Sequence, residues 1–236
     1  MSVAFVYLAG KYGLGFLPPV LFWMLLRRAL RDDYDPRSFQ KFFVAGMVLT
    51  VPMGVAEYAL GKVIGTPTSS VAAGLMNGFV LAAIPEEVIR ALLLVYWVRR
   101  ARGFADPKWI IGGSVALAMG QVAVENTAWI YLHTHDVAQQ FHIFMTRTLL
   151  SVPTLGVCGL VAGVATAWAY GRSENWMRSL GSGLLLAVVV HGIFDSAVFI
   201  ASGRTILIAT VSAMLLGYIP IHARLTALTA AAQPEA

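Results

Sequence analysis

The chain has 236 residues, of which 58% are hydrophobic and only 12% are charged, and its formal net charge is +5. Soluble domains carry about 25% charged residues, so the composition excludes an ordinary soluble enzyme and predicts an integral membrane protein. The basic residues lie mainly in short loops between apolar runs, which is typical of orientation signals in membrane proteins. The lipid bilayer is therefore an expected partner, and nucleic acid is not.

The apolar runs predict an all-α fold, a polytopic membrane helix bundle of about seven transmembrane helices. A run must contain about 20 residues to cross a bilayer as a helix. The predicted spans are roughly 4–26, 39–60, 71–98, 109–132, 144–170, 180–201 and 206–221. They form a single integral membrane domain over residues 1–236, with a disordered tail predicted for 226–236.

The distribution of Lys and Arg predicts the orientation. Loops after the first, third and fifth spans are rich in basic residues, whereas the loops on the other side contain few. The positive-inside rule assigns the basic loops to the cytoplasm. The N-terminus is then expected outside and the C-terminus in the cytoplasm.

The third span contains three charges within one helical turn, Glu86, Glu87 and Arg90. Each charge at the centre of a bilayer costs roughly 2.5–3.5 kcal/mol on insertion scales. Glu86 and Arg90 are four residues apart and therefore share one helix face. Pro85 lacks a backbone donor and leaves the carbonyl of Leu81 without its helical partner, which predicts a local disturbance of the helix.

Three later spans contain polar groups at a similar depth. Glu125 and Asn126 lie in the fourth span, Arg147 lies near the start of the fifth, and His191 and Asp195 share one face of the sixth. At a rise of 1.5 Å per residue, these groups fall between the middle of the bilayer and its outer half. They are therefore expected to share a site with the acids of the third span.

The remaining unusual polar residues are interpreted as structural. Glu57 falls near the outer end of the second span. His133, His135 and His142 belong to a predicted solvated loop. Cys158 lies in an apolar run, where a single cysteine acts as a small buried hydrophobe.

The residue types favour hydrolysis. A carboxylate in a low-dielectric cavity can act as a general base for water, and a histidine or an amide can donate to a developing oxyanion. The same set also contains the donors of a zinc site. The metal-ligating candidates are Glu86, Glu125, His191 and Asp195.

Two other functions use the same residues. A proton-coupled transporter or channel could use the acids as a relay, although transporters are expected to show inverted repeats and the sequence has no convincing repeat. A non-catalytic membrane scaffold is the third alternative.

The polar residues also form ordered motifs on successive spans. These motifs are Glu86-Glu87-x-x-Arg90, Gln121-x-x-x-Glu125-Asn126, Arg147 and His191-x-x-x-Asp195. In this order they resemble the PrsW-type intramembrane proteases, within the wider superfamily of CAAX prenyl endopeptidases and bacteriocin-processing proteins. The resemblance covers roughly residues 25–200.

This resemblance implies an endopeptidase of a bacterial or archaeal cytoplasmic membrane that acts on membrane-anchored proteins or peptides. It implies that Glu86 and Glu87 form the catalytic motif and that Glu125 occupies a second motif. His191, with Asp195, would polarise the scissile carbonyl or hold a metal, for which zinc is the candidate. Arg90, Asn126, Asp195 and Arg147 are the expected supporting residues.

The chain departs from the family pattern at two places. Arg90 stands where the family usually has lysine, which keeps the charge. The fifth span has no histidine after Pro153, where the family often has one.

Overall fold

The computed structural model describes residues 13, 15–25, 28, 36–65, 67, 69–101, 106–132, 137–171, 175–200 and 203–231. These residues form seven helices and no strand, which confirms the predicted all-α fold. The simple helices are α1 (Gly15–Leu25), α2 (Pro36–Ile64), α4 (Pro107–Leu132), α6 (Trp176–Ile200) and α7 (Gly203–Ala231). Two helices contain a π-helical segment: α3 joins Ser70–Leu75, Met76–Ala83 (π) and Ile84–Arg100, and α5 joins Val137–Thr146, Arg147–Ser151 (π) and Val152–Gly171.

Several helices extend beyond the predicted spans. The α7 helix continues through 226–231, so the predicted disorder is wrong for these residues. Their sequence, Thr-Ala-Leu-Thr-Ala-Ala, is rich in alanine, the strongest helix former. The α5 helix begins at Val137, so His142 is helical and does not lie in a loop. The rest of that loop, including His133 and His135, and the stretch 232–236 lie outside the described residues.

Within the described part of the chain, three helices are long and apolar enough to cross a membrane, over Ser38–Ile64, Ala138–Gly171 and Trp176–Ile200. Gly15–Leu25 and Ile206–Ile219 are shorter apolar helices. The α3 and α4 helices, which carry most of the polar residues singled out above, are not among them. The chain therefore has helices of membrane-spanning character, while the seven-span topology and the position of the termini stay predictions.

The α4 helix is the centre of the bundle. Every residue from 110 to 123 is buried, and α4 packs against α2 on one side and α5 on the other. By contrast, α2 exposes a row of valines on its outer face, namely Val44, Val48, Val51 and Val55. An apolar exterior around a partly polar interior is the arrangement that a bilayer favours, because lipid tails cannot satisfy polar groups.

Glycines bring α2 and α4 into backbone contact. A Cβ atom on Gly46 of α2 would lie 1.9 Å from the carbonyl oxygen of Leu117, and a Cβ atom on Gly120 of α4 would lie 1.9 Å from that of Phe43. No side chain fits at these distances. Small residues at such a crossing are the usual means of close helix packing in membranes.

Both π-helical segments end just before a proline. The residue after each segment, Ile84 or Val152, donates its N–H to the carbonyl five residues earlier. Pro85 and Pro153 follow directly. A proline within an α-helix has no N–H to donate, and its ring clashes with the carbonyl four residues earlier. A π turn moves that carbonyl relative to the proline ring, because its hydrogen bonds join residues five apart. Such turns often occur at functional sites.

The close crossing of α2 and α4 predicts that alanine substitutions at two glycines of α2 have very different effects on the free energy of unfolding. We expect Gly46→Ala to lower the free energy of unfolding by about 1–3 kcal/mol, the usual cost of overpacking. Gly54→Ala is the matched control, because its Cβ would meet nothing within 4 Å. Thermal unfolding in detergent, followed by tryptophan fluorescence, measures both. Equal changes in the two variants would contradict the described crossing.

Candidate active site

Close contacts between α3 and α6 position the first part of the site. A Cβ atom on Gly78 would lie 2.3 Å from Ser196 Oγ, and one on Gly192 would lie 2.3 Å from the ring of Phe79. The glycines therefore leave room for the Phe79 ring and for Ser196 of the opposite helix, and the two helices pack closely at these points. This contact brings His191, which precedes Gly192, against the acidic turn of α3.

Glu87 is the centre of a buried ion-pair chain. Its Oε1 atom accepts a hydrogen bond from Arg90 Nη2 on the same helix. The same oxygen lies 2.9 Å from His191 Nδ1 on α6. All three side chains are almost completely buried. The Glu87 carboxylate thus compensates the guanidinium and orients the imidazole at once.

The other ring nitrogen of His191 faces two further carboxylates. Its Nε2 atom lies 3.1 Å from Asp195 Oδ2 and 3.8 Å from Glu86 Oε2. With carboxylate oxygens on both sides, the ring can donate from both nitrogens only as an imidazolium. His191 therefore links the Glu87 group to Glu86.

Glu86 has a different set of partners. Its Oε2 atom accepts a hydrogen bond from the side-chain Nε2 of Gln121 on α4. The same nitrogen donates to Glu125 Oε1, one turn further along α4. The side chain of Glu57, on α2, lies within hydrogen-bonding range of Glu86. The Gln121 amide therefore joins acids of α3 and α4, and Glu57 of α2 lies next to the first of them.

Arg147 lies beside Glu125 and Asn126 at the edge of the cluster. Its Nε atom donates to Asn126 Oδ1 at 2.5 Å, and its Nη2 atom lies 3.4 Å from Glu125 Oε2. The guanidinium also covers the ring of Trp129, 5.4 Å from its centroid.

The edge of the cluster is more accessible than its interior. The side chains of Arg147, Glu125 and Asp195 are 16%, 18% and 21% exposed, whereas His191 is 2% exposed. The cluster therefore opens on the side of Arg147 and Asp195.

The structure brings together every residue predicted for the site. The predicted set is Glu86, Glu87, Arg90, Glu125, Asn126, Arg147, His191 and Asp195, and its members come from α3, α4, α5 and α6. Two further residues join them. Glu57 was expected to be structural near the outer interface, but it lies beside Glu86. Gln121 was part of a motif without a role, and it touches two of the acids.

The sequence contained a signal for both of these residues. An ionisable residue within an apolar helix is a functional candidate by default, which applies to Glu57. Gln121 is four residues before Glu125 and therefore on the same helix face. What the sequence could not show is the crossing of α2 and α4 that brings Glu57 and Gln121 to α3.

The acidic donors do not form a metal site in this arrangement. Among the described residues, no group of three His, Cys, Asp or Glu side chains is placed to hold a metal ion. The reason is visible at two donors of the predicted set. Glu86 and Glu125 are bridged by the Gln121 amide nitrogen, which is a hydrogen-bond donor and no metal ligand. His191 Nε2 directly faces Asp195.

Comparison with known proteins is consistent with this constellation. The chain is similar to Protease PrsW of Clostridioides difficile (strain 630), with 26% identity over 75% of this chain and 73% of the relative. It is also similar to Protease PrsW of Geobacillus kaustophilus (strain HTA426), with 24% identity over 70% of each chain. For Protease PrsW of Shouchella clausii (strain KSM-K16), the identity is 26% over 79% of this chain and 83% of the relative.

No solved structure matches the chain significantly. The family model that matches describes the PrsW family intramembrane metalloproteases, and the match extends over residues 36–225. This range contains all of the clustered residues described above. The chain therefore belongs to the PrsW family and is a membrane protease.

Proposed function

We propose that the chain is an intramembrane endopeptidase that hydrolyses peptide bonds of membrane-anchored proteins or peptides with a water molecule activated by a glutamate. One observation carries the proposal. The buried acids of α3 meet His191 of α6 in a cluster that opens towards Arg147. Burial strengthens the interaction of each charged group with a reacting dipole.

Glu86 is the proposed general base. Its neighbour Glu87 is held by a guanidinium and an imidazole through the same oxygen, and an ion pair of this kind weakens a base. Glu86 accepts its closest hydrogen bond from a neutral amide. Glu57 lies beside it, and Glu125 receives a hydrogen bond from the same amide nitrogen.

In the proposed reaction, Glu86 takes a proton from water while the water oxygen forms a bond with the carbonyl carbon of the substrate. The negative charge then resides on the carbonyl oxygen. His191 Nε2, between Glu86 and Asp195, is placed to stabilise this charge. The C–N bond breaks when the nitrogen receives the proton that Glu86 holds, which yields an acid and an amine.

Other residues support these groups. Glu87 and Arg90 fix His191, because a histidine is oriented by the partner of its second nitrogen. Arg147 lies at the opening, where it can bind a substrate carbonyl, and the buried Asn126 holds its guanidinium by accepting a hydrogen bond from Nε. Glu125 positions Arg147.

A metal would add a Lewis acid to this site. The description of the family implies one, and zinc was the candidate that the sequence favoured. The donors present do not fit a metal in the observed arrangement, so the steps above use the groups of the chain alone.

We also propose a location and a wider relationship. The basic loops support an N-terminus outside, in a cytoplasmic membrane, and the similar proteins come from bacteria. The order of motifs supports the wider superfamily of CAAX prenyl endopeptidases. A proton-coupled transporter or a non-catalytic scaffold has no comparable support, since the matched family consists of proteases.

We expect Glu86→Gln to lower kcat by about 10²–10⁴-fold, because it removes the general base. Cleavage of membrane-tethered fluorogenic peptides in proteoliposomes measures this. The matched control is Asp106→Asn, which makes the same change at an exposed residue that caps Lys108 N at 2.6 Å. The control should retain wild-type activity. A fully active Glu86→Gln variant would exclude the proposed base.

The ion pair between Glu87 and Arg90 predicts a separation of stability from activity. Glu87→Gln leaves a buried guanidinium without its counter-charge, which costs about 3–5 kcal/mol of unfolding free energy. Glu87→Gln/Arg90→Met removes both charges and should recover most of this loss, as replacement of a buried ion pair by apolar groups often does. Neither variant should recover activity, since His191 has lost its partner. Thermal unfolding and peptide cleavage give the two measurements, and an active double variant would contradict the role of Glu87.

A further inference from the structure

We infer that Gln121 is a positioning residue whose side-chain amide joins Glu86 to Glu125 in the place that a bridging divalent cation would otherwise take. Gln121 begins the motif Gln121-x-x-x-Glu125-Asn126, in which no role had been assigned to it. Its kinetic consequence rests on the proposed function. Its consequence for metal binding is independent of protease activity.

The contacts of Gln121 are specific. Its Nε2 atom donates to Glu86 Oε2 on α3 and to Glu125 Oε1 on α4. An amide nitrogen has two hydrogens, so each carboxylate takes one of them. The residue is 0% exposed, and no water-exposed alternative is available to the amide in this packing.

The orientation of the amide follows from its neighbours. If the group were turned by 180°, its oxygen would face two carboxylates, and acceptors would oppose acceptors. The nitrogen must therefore point between Glu86 and Glu125. The oxygen, Gln121 Oε1, has no hydrogen-bond partner among the described residues, so the pair of contacts through nitrogen is what fixes the side chain.

The packing of the helices fixes the backbone of Gln121 as well. A Cβ atom on Gly46 would lie 3.0 Å from the backbone nitrogen of Gln121. The residue therefore lies next to the closest approach of α2 and α4, which is at Gly46 and Gly120, and its backbone has little room to shift. The side chain of Gln121 is therefore held at its amide nitrogen by two carboxylates and at its backbone by helix packing.

An amide solves the electrostatic problem of two adjacent carboxylates, one buried and one partly buried, differently from a cation. Two such groups must share a proton, bind a cation or receive hydrogen bonds. A divalent ion neutralises both charges, whereas an amide satisfies lone pairs and leaves the charge in place. Glu86 is therefore held in position and keeps its capacity to accept a proton. A metal shared by Glu86 and Glu125 would first have to displace the amide.

Metal content tests this without any assay of proteolysis. Purified wild type, Glu125→Gln and Gln121→Glu are incubated with Mn²⁺ or Zn²⁺ and dialysed, and the bound metal is measured by mass spectrometry. Wild type and Glu125→Gln should retain the same amount, because no ion lies between Glu86 and Glu125. Gln121→Glu places a third carboxylate between them, and it should retain about one additional Mn²⁺ per chain, since carboxylates suit this ion. The inference is overturned if wild type retains metal that Glu125→Gln loses, or if Gln121→Glu retains no more than wild type.

The kinetic test separates positioning from stability. Gln121→Leu keeps much of the side-chain volume but has no hydrogen-bond donor, so Glu86 loses the hydrogen bond that holds it in position. We expect kcat for tethered peptides to fall by about 10²-fold with KM within about twofold, because small misplacements of a reacting group have effects of this size. Gln139→Leu makes the same change at an exposed position of α5 and should leave both constants unchanged.

Wild-type kcat in Gln121→Leu, or a rise in KM alone, would show that Gln121 does not position Glu86. If wild type itself cleaves no peptide, the proposed function fails, and the metal measurement alone decides the role of the amide.

Discussion

The contact of Glu87 with Arg90 and His191 is the interaction on which the interior of the bundle depends. A buried guanidinium without a counter-charge is strongly destabilising. Glu87 supplies that charge from the same helix, and through the same oxygen it contacts His191 on α6. The ion pair therefore neutralises the buried guanidinium within α3, and the contact of Glu87 with His191 joins α3 to α6. The orientation of the imidazole is a consequence of this charge compensation.

The backbone makes such contacts available. Glycines remove side chains where α2 meets α4 and where α3 meets α6, so polar groups on neighbouring helices come within hydrogen-bonding distance. The π turns before Pro85 and Pro153 change the phase of α3 and α5 next to the polar residues. In an apolar surrounding, backbone groups must find partners within the protein, and the i to i+5 bonds supply them. The π-helical segments of α3 and α5 therefore accommodate the prolines that follow them, and they set the direction of the side chains that form the site.

The sequence was sufficient to predict the helical class and the eight residues of the cluster. Charges in apolar helices are rare enough to stand out, and their depth could be estimated from the helical rise alone. The sequence could not predict contacts between side chains that depend on how two helices cross. Glu57 was assigned to the outer interface by its position in α2, but that position contains no information on the contact with α3. The C-terminal end of α7 was missed because the composition of 226–231 was interpreted as a tail, although its alanines favour a helix.

Adjacent residues in one turn have acquired different chemistry through their partners. Glu87 is compensated by full charges, and this fixes it as a structural anion. Glu86 has a neutral amide and another acid beside it, and its nearest cationic partner, His191 Nε2, lies 3.8 Å away, so its negative charge is compensated less directly than that of Glu87. Such a carboxylate can take a proton from water as a general base. The opening beside Arg147 and Asp195 is the side from which a water molecule can supply that proton. The division of roles between the two glutamates therefore follows from the helices that each one faces.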